Sequence, residues 1–287
     1  KIRHFGVRNF LIEQVEQEGV NVWFEEPVEA VLPEGLSCEQ CGSGDFVKQN
    51  DILDVWFDSG SSHRAVLQRD PELRFPADVY LEGSDQHRGW FQLSMLPSMA
   101  LEDEPPFREL ITHGFVMDEN GKKMSKSQGN VTSPLDVIEE DGADILRLWV
   151  ASENYQEDLV IGDQILEQVR DKYRRIRNTC KFFLGNLQEY EGFDPERDAV
   201  DVDELHAIDR WFLAELYGLT HRVSRAYQDR DFHRAFNQIN NFCAKEASSL
   251  YLDISKDRLY CAAPDSPERR SAQTVLHHAL RTLARLI

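Results

Sequence analysis

The chain has 287 residues, with 32 Lys+Arg against 51 Asp+Glu and a formal net charge of −19. Apolar residues at 41 % and charged residues at 29 % describe a folded globular chain rather than a disordered one, and the length predicts about two domains. There is no run of about 18 apolar residues, so no membrane span is expected. The segment Lys1-Ile2-Arg3-His4-Phe5 lacks the apolar core of a signal peptide, and five cysteines are too few for a disulfide scaffold, so a reducing cytoplasm is the expected location. The acidity argues against a surface coated with nucleic-acid-binding charge.

Residues 1–50 read as a small irregular segment. A short helix is predicted over 8–18, where Phe10, Leu11, Val15 and then Val20 form a rough apolar stripe. A Pro/Gly-punctuated stretch follows, holding a Cys38-x-x-Cys41 turn closed by Gly42.

Residues 51–158 alternate strand-like and helix-like signals. Val79-Tyr80-Leu81 is a strand bounded by Gly83 and Ser84, and one helix is predicted from Asp85 to Leu101. A second strand is predicted over 110–117, followed by an Asn120-Gly121 turn. Ser133-Pro134 supplies an N-cap and a first-turn proline, and Gly142 separates that helix from the next at 143–152. Strand, helix, strand, helix in this order predicts a parallel α/β layer.

Residues 159–287 change texture. Apolar side chains recur every three or four residues at Ile165, Val169, Tyr173, Ile176, Cys180, Phe183 and Leu187. The same spacing runs through Ile208, Phe212, Leu216, Leu219 and Val223, and through Phe232, Phe236, Ile239, Cys243 and Ala247. Ser266-Pro267 opens a last helix carrying Val275, Leu276, Leu280 and Leu283. These stripes predict a helical bundle, with Cys180 and Cys243 as core fillers.

The sharpest chemical feature is Lys123-Met124-Ser125-Lys126-Ser127, followed by Gln128-Gly129-Asn130. Two lysines three residues apart, with one hydroxyl between them, another just after, and glycine on either side, make a cationic loop suited to a transferring phosphoryl group. Lysine acts there as a flexible point charge. A basic run over 170–177 places Arg170, Arg174 and Arg177 on one helix face, where contact with nucleic-acid phosphates is the functional reading.

The pentapeptide resembles the second signature of class I aminoacyl-tRNA synthetases. The resemblance extends to Asp54-Val55-Trp56-Phe57-Asp58-Ser59-Gly60, and to the segment from Tyr80 through Glu82-Gly83-Ser84-Asp85-Gln86 to Phe91. Both are similar to the isoleucyl versions of the active-site segments. Gly142-Ala143-Asp144-Ile145-Leu146-Arg147 and Tyr173-Arg174-Arg175-Ile176-Arg177-Asn178-Thr179 add to it, so the likeness runs from about residue 51 onward.

The resemblance implies the second half of a split Rossmann-like α/β catalytic domain, followed by an all-α helical-bundle anticodon-binding domain. It implies that Lys123 and Lys126 lie over the phosphates of ATP, supplied with Mg2+, with Ser125 and Ser127 beside them. Glu82 would hold the aminoacyl-adenylate, Gly83, Asp85 and Gln86 would line the same crevice, and Trp56 and Trp90 would wall the amino-acid pocket. The implied partners are isoleucine, ATP and tRNA(Ile), handled by a monomeric enzyme.

Two expected features are missing. The family's first signature, a His-x-Gly-His element, does not occur, nor does an editing insertion, so an internal fragment without aminoacylation activity of its own is expected. Cys38 and Cys41 supply two ligands where a structural Zn2+ needs four, so they are expected to be half of a zinc ribbon or a pair of free thiols. Two competing readings are another nucleotidylyl-transferring α/β enzyme and a non-catalytic RNA-binding scaffold. The scaffold would have no need to gather Glu82, Asp85 and the two lysines at one place.

Overall fold

The computed structural model describes residues 5–125, 129–188 and 192–287. Helix α1 (Phe5–Glu18) leads into an irregular segment. Val7 is buried, but Val15 and Val20 are exposed, so the predicted stripe of this helix packs only loosely.

The α/β layer begins with α2 (Val55–Gly60), whose N-cap Asp54 accepts the Trp56 amide at 2.8 Å. Strand β1 (Ala77–Gly83) pairs in parallel with β2 (Phe107–His113), and α3 (Trp90–Glu102) connects them. The helix expected from Asp85 is interrupted. Residues Ser84–Arg88 form a 3-10 turn, and Gly89 at φ −138°, ψ −122° breaks the path before α3 starts at Trp90. Pro97 inside α3 has no N–H for the Leu93 carbonyl. That carbonyl faces α2 so closely that a Cβ at Gly60 would collide with it.

The strand expected over 110–117 is also divided. Gly114 donates to the Tyr155 carbonyl at 2.9 Å and lies too close to the Glu157 backbone to carry a side chain. Beyond this crossing, β3 (Val116–Met117) leaves β1 and pairs in parallel with β4 (Leu159–Val160). Helices α4 (Pro134–Asp141) and α5 (Ala143–Ser152) lie between, capped by Ser133 and parted by Gly142 at φ +88°. The left-handed backbone there suits glycine.

Helix α6 (Asp163–Gln188) belongs to both halves. Its Leu166 and Val169 pack with Val137, Ile145, Trp149, Leu159 and Ile161 under the α/β layer. Further along, its Ile176, Phe183 and Leu187 enter the bundle core. That bundle comprises α7 (Ala207–Gln228), α8 (Phe232–Phe242), α9 (Leu252–Cys261) and α10 (Pro267–Leu286). A π-helical stretch, Cys243–Tyr251, runs from α8 into α9 without a break. At the seam, Arg230, at φ +60°, pairs with Glu109 at 2.7 Å, and its carbonyl accepts the Tyr155 hydroxyl at 3.0 Å. Among the described residues no helix is long and apolar enough to cross a membrane.

Candidate active site

Parallel strands present their carboxyl ends together, and in an open α/β sheet that end is the ligand crevice. Register places Glu82 opposite Thr112 and Gly83 opposite His113. Glu82 is exposed at the strand end, where its Oε1 accepts the Gly83 amide at 3.0 Å. Gly83 is buried. A Cβ there would meet the Asp85 carboxylate at 2.6 Å and stand 3.8 Å from the His113 ring, so the glycine lets strand, turn and neighbouring strand close up.

Gln86 has a structural duty within this turn. Its Oε1 accepts the Trp90 amide at 3.0 Å, which caps the start of α3, while its Nε2 reaches Asp85 at 3.3 Å. Trp90 is half-buried and held on two sides. Its ring stacks on Tyr80 with centroids 4.3 Å apart, and its Nε1 donates to the Ser59 carbonyl at 2.9 Å. Trp56 differs, being 42 % exposed and lining an open apolar cavity of about 500 Å³ with Asp54, Phe57, Leu93, Leu96 and Pro97. A Cβ at Gly89 would lie 3.5 Å from the Trp56 ring, so the two tryptophans approach the same turn, one free and one fixed.

The second strand delivers the lysine loop. From His113 the chain passes through Gly114 and Phe115 into β3, then into the Asp118–Gly121 turn, where Gly121 adopts φ +70°. Lys123 forms an antiparallel bridge with Met117, and its ammonium lies 3.8 Å from the centroid of the Phe115 ring. Lys126 and Ser127 lie outside the described residues. Ser125 donates its amide to Asn130 Oδ1 at 2.9 Å. Glu82, Gly83 and Asp85 thus gather at the carboxyl end of β1 beside that of β2, whereas Lys123 follows β3, which pairs with β4 in a second sheet.

Sequence reasoning missed the residues that hold this loop. Asp118 Oδ1 accepts the amides of Asn120 and Lys122, each at 2.9 Å, and its Oδ2 accepts the Asn130 side-chain amide at 2.8 Å. The Asn130 bond and then the Lys122 amide hold the Asp118 carboxyl below its usual range. An aspartate opening an Asn-Gly turn is the signal that was available.

The basic run on α6 does not behave as one surface. Arg170 donates twice to Asp141, at 2.6 and 2.9 Å, which ties α6 to α4 and commits its guanidinium. Arg174 and Arg177 are exposed, and Arg174 pairs loosely with Asp171 one turn earlier. In the N-terminal segment, backbone hydrogen bonds from Cys41 and Gln40 lower the Cys38 thiol below its usual value. Among the described residues no group of three or more His, Cys, Asp or Glu is placed to hold a metal ion, so these two thiols do not by themselves fit a closed zinc site.

Two short parallel strand pairs, with Lys123 following β3, and a shared helix leading into an all-α bundle define an α/β domain with an appended helical domain. The family described as tRNA synthetases class I (I, L, M and V) matches residues 3–162, and the anticodon-binding domain of tRNA ligase matches residues 209–287. The chain belongs to the class I tRNA synthetases. It is 50 % identical over 281 residues to the isoleucine--tRNA ligase of Syntrophotalea carbinolica, covering 98 % of this chain and 30 % of that protein. It is 54 % identical over 273 residues to that of Carboxydothermus hydrogenoformans, covering 94 % and 29 %. The chain therefore spans under a third of the curated relatives it matches. Among solved structures, the complex of Agrobacterium radiobacter K84 agnB2 LeuRS with tRNA and LeuAMS aligns over 88 % of this chain and 31 % of that one. Its TM-score is 0.68 at 25 % identity. Mycobacterium tuberculosis methionyl-tRNA synthetase with methionyl-adenylate shares the fold, with a TM-score of 0.65 at 19 % identity over 81 % of this chain and 47 % of that one.

Proposed function

We propose that this chain works as part of an isoleucine–tRNA ligase. In the first step the isoleucine carboxylate attacks the α-phosphate of Mg2+-bound ATP, releasing pyrophosphate and leaving isoleucyl-adenylate. In the second, the terminal ribose hydroxyl of tRNA(Ile) attacks the acyl carbonyl and releases AMP. The observation that carries this reading is the junction of Glu82-Gly83 with His113, from which the chain runs directly into the Lys123 loop.

The roles we assign to individual residues are these. Lys123 and Lys126 neutralise charge on the phosphates, helped by Ser125 and Ser127, and contribute positioning and electrostatics rather than covalent chemistry. Glu82 holds the adenylate, with Gly83 and Asp85 at its side, and Gln86 keeps the turn shaped by capping α3. Trp56 presents its free face to the amino-acid side chain, while Trp90 supports the wall behind it. Arg174 and Arg177 contact tRNA phosphates.

The residues at 1–50, 51–158 and 159–287 serve as insertion tail, catalytic half-domain and anticodon-binding bundle of a cytoplasmic, monomeric enzyme. Cys38 and Cys41 take a structural Zn2+ only if further protein supplies two more ligands. Isoleucine-dependent ATP–pyrophosphate exchange tests the activity. We expect exchange from the whole protein and none from residues 1–287 alone. Exchange that responds to leucine or methionine but not isoleucine would overturn the substrate assignment, and no exchange from the whole protein would overturn the activity.

A further inference from the structure

The lysine loop is held by a clasp that its own signature does not contain. Asp118 stands at the loop's entrance and Asn130 just past Gly129 at its exit. One carboxylate oxygen gathers the Asn120 and Lys122 amides, and the other accepts the Asn130 amide, which also approaches the Lys123 carbonyl at 3.4 Å. Asn130 in turn accepts the Ser125 amide. Two side chains therefore bind both stems of the loop through five hydrogen bonds, one of them long. The neighbouring Glu119 anchors the same turn elsewhere. Its Oε1 accepts the Asp163 amide at 2.7 Å, at the start of α6, and it packs where Gly162 leaves no room for a Cβ.

We propose that Asp118, acting through Asn130, is the positioning residue of the lysine loop, setting the backbone from Lys122 to Ser125 so that the Lys123 ammonium starts from a defined place. This rests on the synthetase reading above. A carboxylate suits the task because three N–H donors converge on it and it offers only acceptors. An amide of the same size cannot replace it. Whichever way it turned, its NH2 would face either the Asn130 amide or the backbone amides of Asn120 and Lys122.

The swap Asp118→Asn with Asn130→Asp is the decisive variant. The amide oxygen at 118 would accept the two backbone amides, its NH2 would donate to the carboxylate at 130, and that carboxylate would accept the Ser125 amide. The one change is at the Lys123 carbonyl, where the 3.4 Å N–H approach becomes a contact between two acceptor oxygens, so the recovery is expected to be large but not complete. Two measurements are needed. In residues 1–287, amide-hydrogen exchange at Asn120, Lys122 and Ser125 should quicken about tenfold or more in Asp118→Asn and return most of the way in the swap. In the whole protein, kcat of isoleucine-dependent exchange should fall about tenfold or more in Asp118→Asn, with KM for isoleucine altered less than about twofold, and recover in the swap.

Unchanged amide protection in Asp118→Asn overturns the clasp. Altered protection with wild-type kcat overturns its positioning role, as does a kcat loss that the swap leaves in place while protection returns. If the wild-type whole protein shows no exchange at all, the synthetase reading fails, and amide protection alone then decides whether the clasp exists.

Discussion

Asp209 and Arg258 form a bidentate ion pair inside the bundle, with Nη1 to Oδ2 at 2.7 Å and Nη2 to Oδ1 at 2.9 Å. Asp209 is fully buried, and it also accepts the hydroxyls of Tyr251 at 2.6 Å and Ser271 at 2.5 Å. The four residues come from α7, the π-helical stretch, α9 and α10, so one carboxylate joins the elements of the helical domain. Burial alone would push its carboxyl up, but the bonds from Arg258, Ser271 and Tyr251 outweigh this and hold it below the usual range.

Replacing Asp209 with Asn should lower the unfolding free energy by about 3 kcal/mol, because it leaves Arg258 without its counter-charge in a largely enclosed site. The depressed carboxyl adds stability that is present above about pH 4 and is lost as pH falls through the folded-state value. Denaturant unfolding from pH 6 downward should therefore show a steeper acid loss in the native chain than in Asp209→Asn. Parallel profiles would show that the carboxylate adds no stability through its charge.

Glycine positions separate crowding from freedom. Gly114→Ala should cost about 2 kcal/mol or more, because the added methyl meets the Glu157 backbone where the chain passes from β2 to β3. Gly185→Ala, in the last turn of α6 with nothing within 4 Å of its Cβ position, should gain up to about 0.5 kcal/mol from helix propensity. Thermal melts of the two variants should shift in opposite directions.

The two tryptophans should separate stability from substrate binding. Trp90→Ala removes the Tyr80 stack and the bond to the Ser59 carbonyl, and should cost about 3 kcal/mol in unfolding. Trp56→Ala acts on a 42 % exposed ring and should change stability by under about 1 kcal/mol, yet raise KM for isoleucine several-fold in the whole protein. An unchanged KM would remove Trp56 from the pocket.

Within the arginine run, Arg170→Ala should destabilise the chain by about 1–2 kcal/mol, because Asp141 loses a two-pronged partner. Charge reversal at Arg174 and Arg177 should leave folding intact. In the whole protein it should raise KM for tRNA while isoleucine-dependent exchange stays at the wild-type rate. Equal losses in both assays would assign these arginines to folding instead.

Much of the fold was legible in local patterns. The strand at Val79-Tyr80-Leu81, the Ser133-Pro134 start, the Gly142 break and the bundle stripes all stand where spacing and capping chemistry predict them. Two elements were divided by glycines whose effect depends on distant neighbours. Gly89 ends the 3-10 turn because Gln86 caps the next helix, and Gly114 breaks the strand because the Glu157 segment crosses it. The net charge of −19 is an average over the chain, and exposed cations such as Arg174 and Arg177 on α6 make a local field that reaches about 10 Å, the screening length.

The sequence by itself determined the order of elements, the α/β-to-bundle transition and the lysine signature, since periodicity, caps and motifs are properties of neighbouring residues. Only the tertiary structure decided which polar groups are spoken for. Arg170 is bound to Asp141 and Trp90 to Tyr80 and Ser59, although nothing in their local spacing distinguishes them from Arg177 or Trp56, and the Asn-Gly turn marks Asp118 locally but not its bond to Asn130. Hydrogen bonds and ion pairs close between partners 12 to 31 residues apart in these cases, and such closure depends on packing rather than on local pattern.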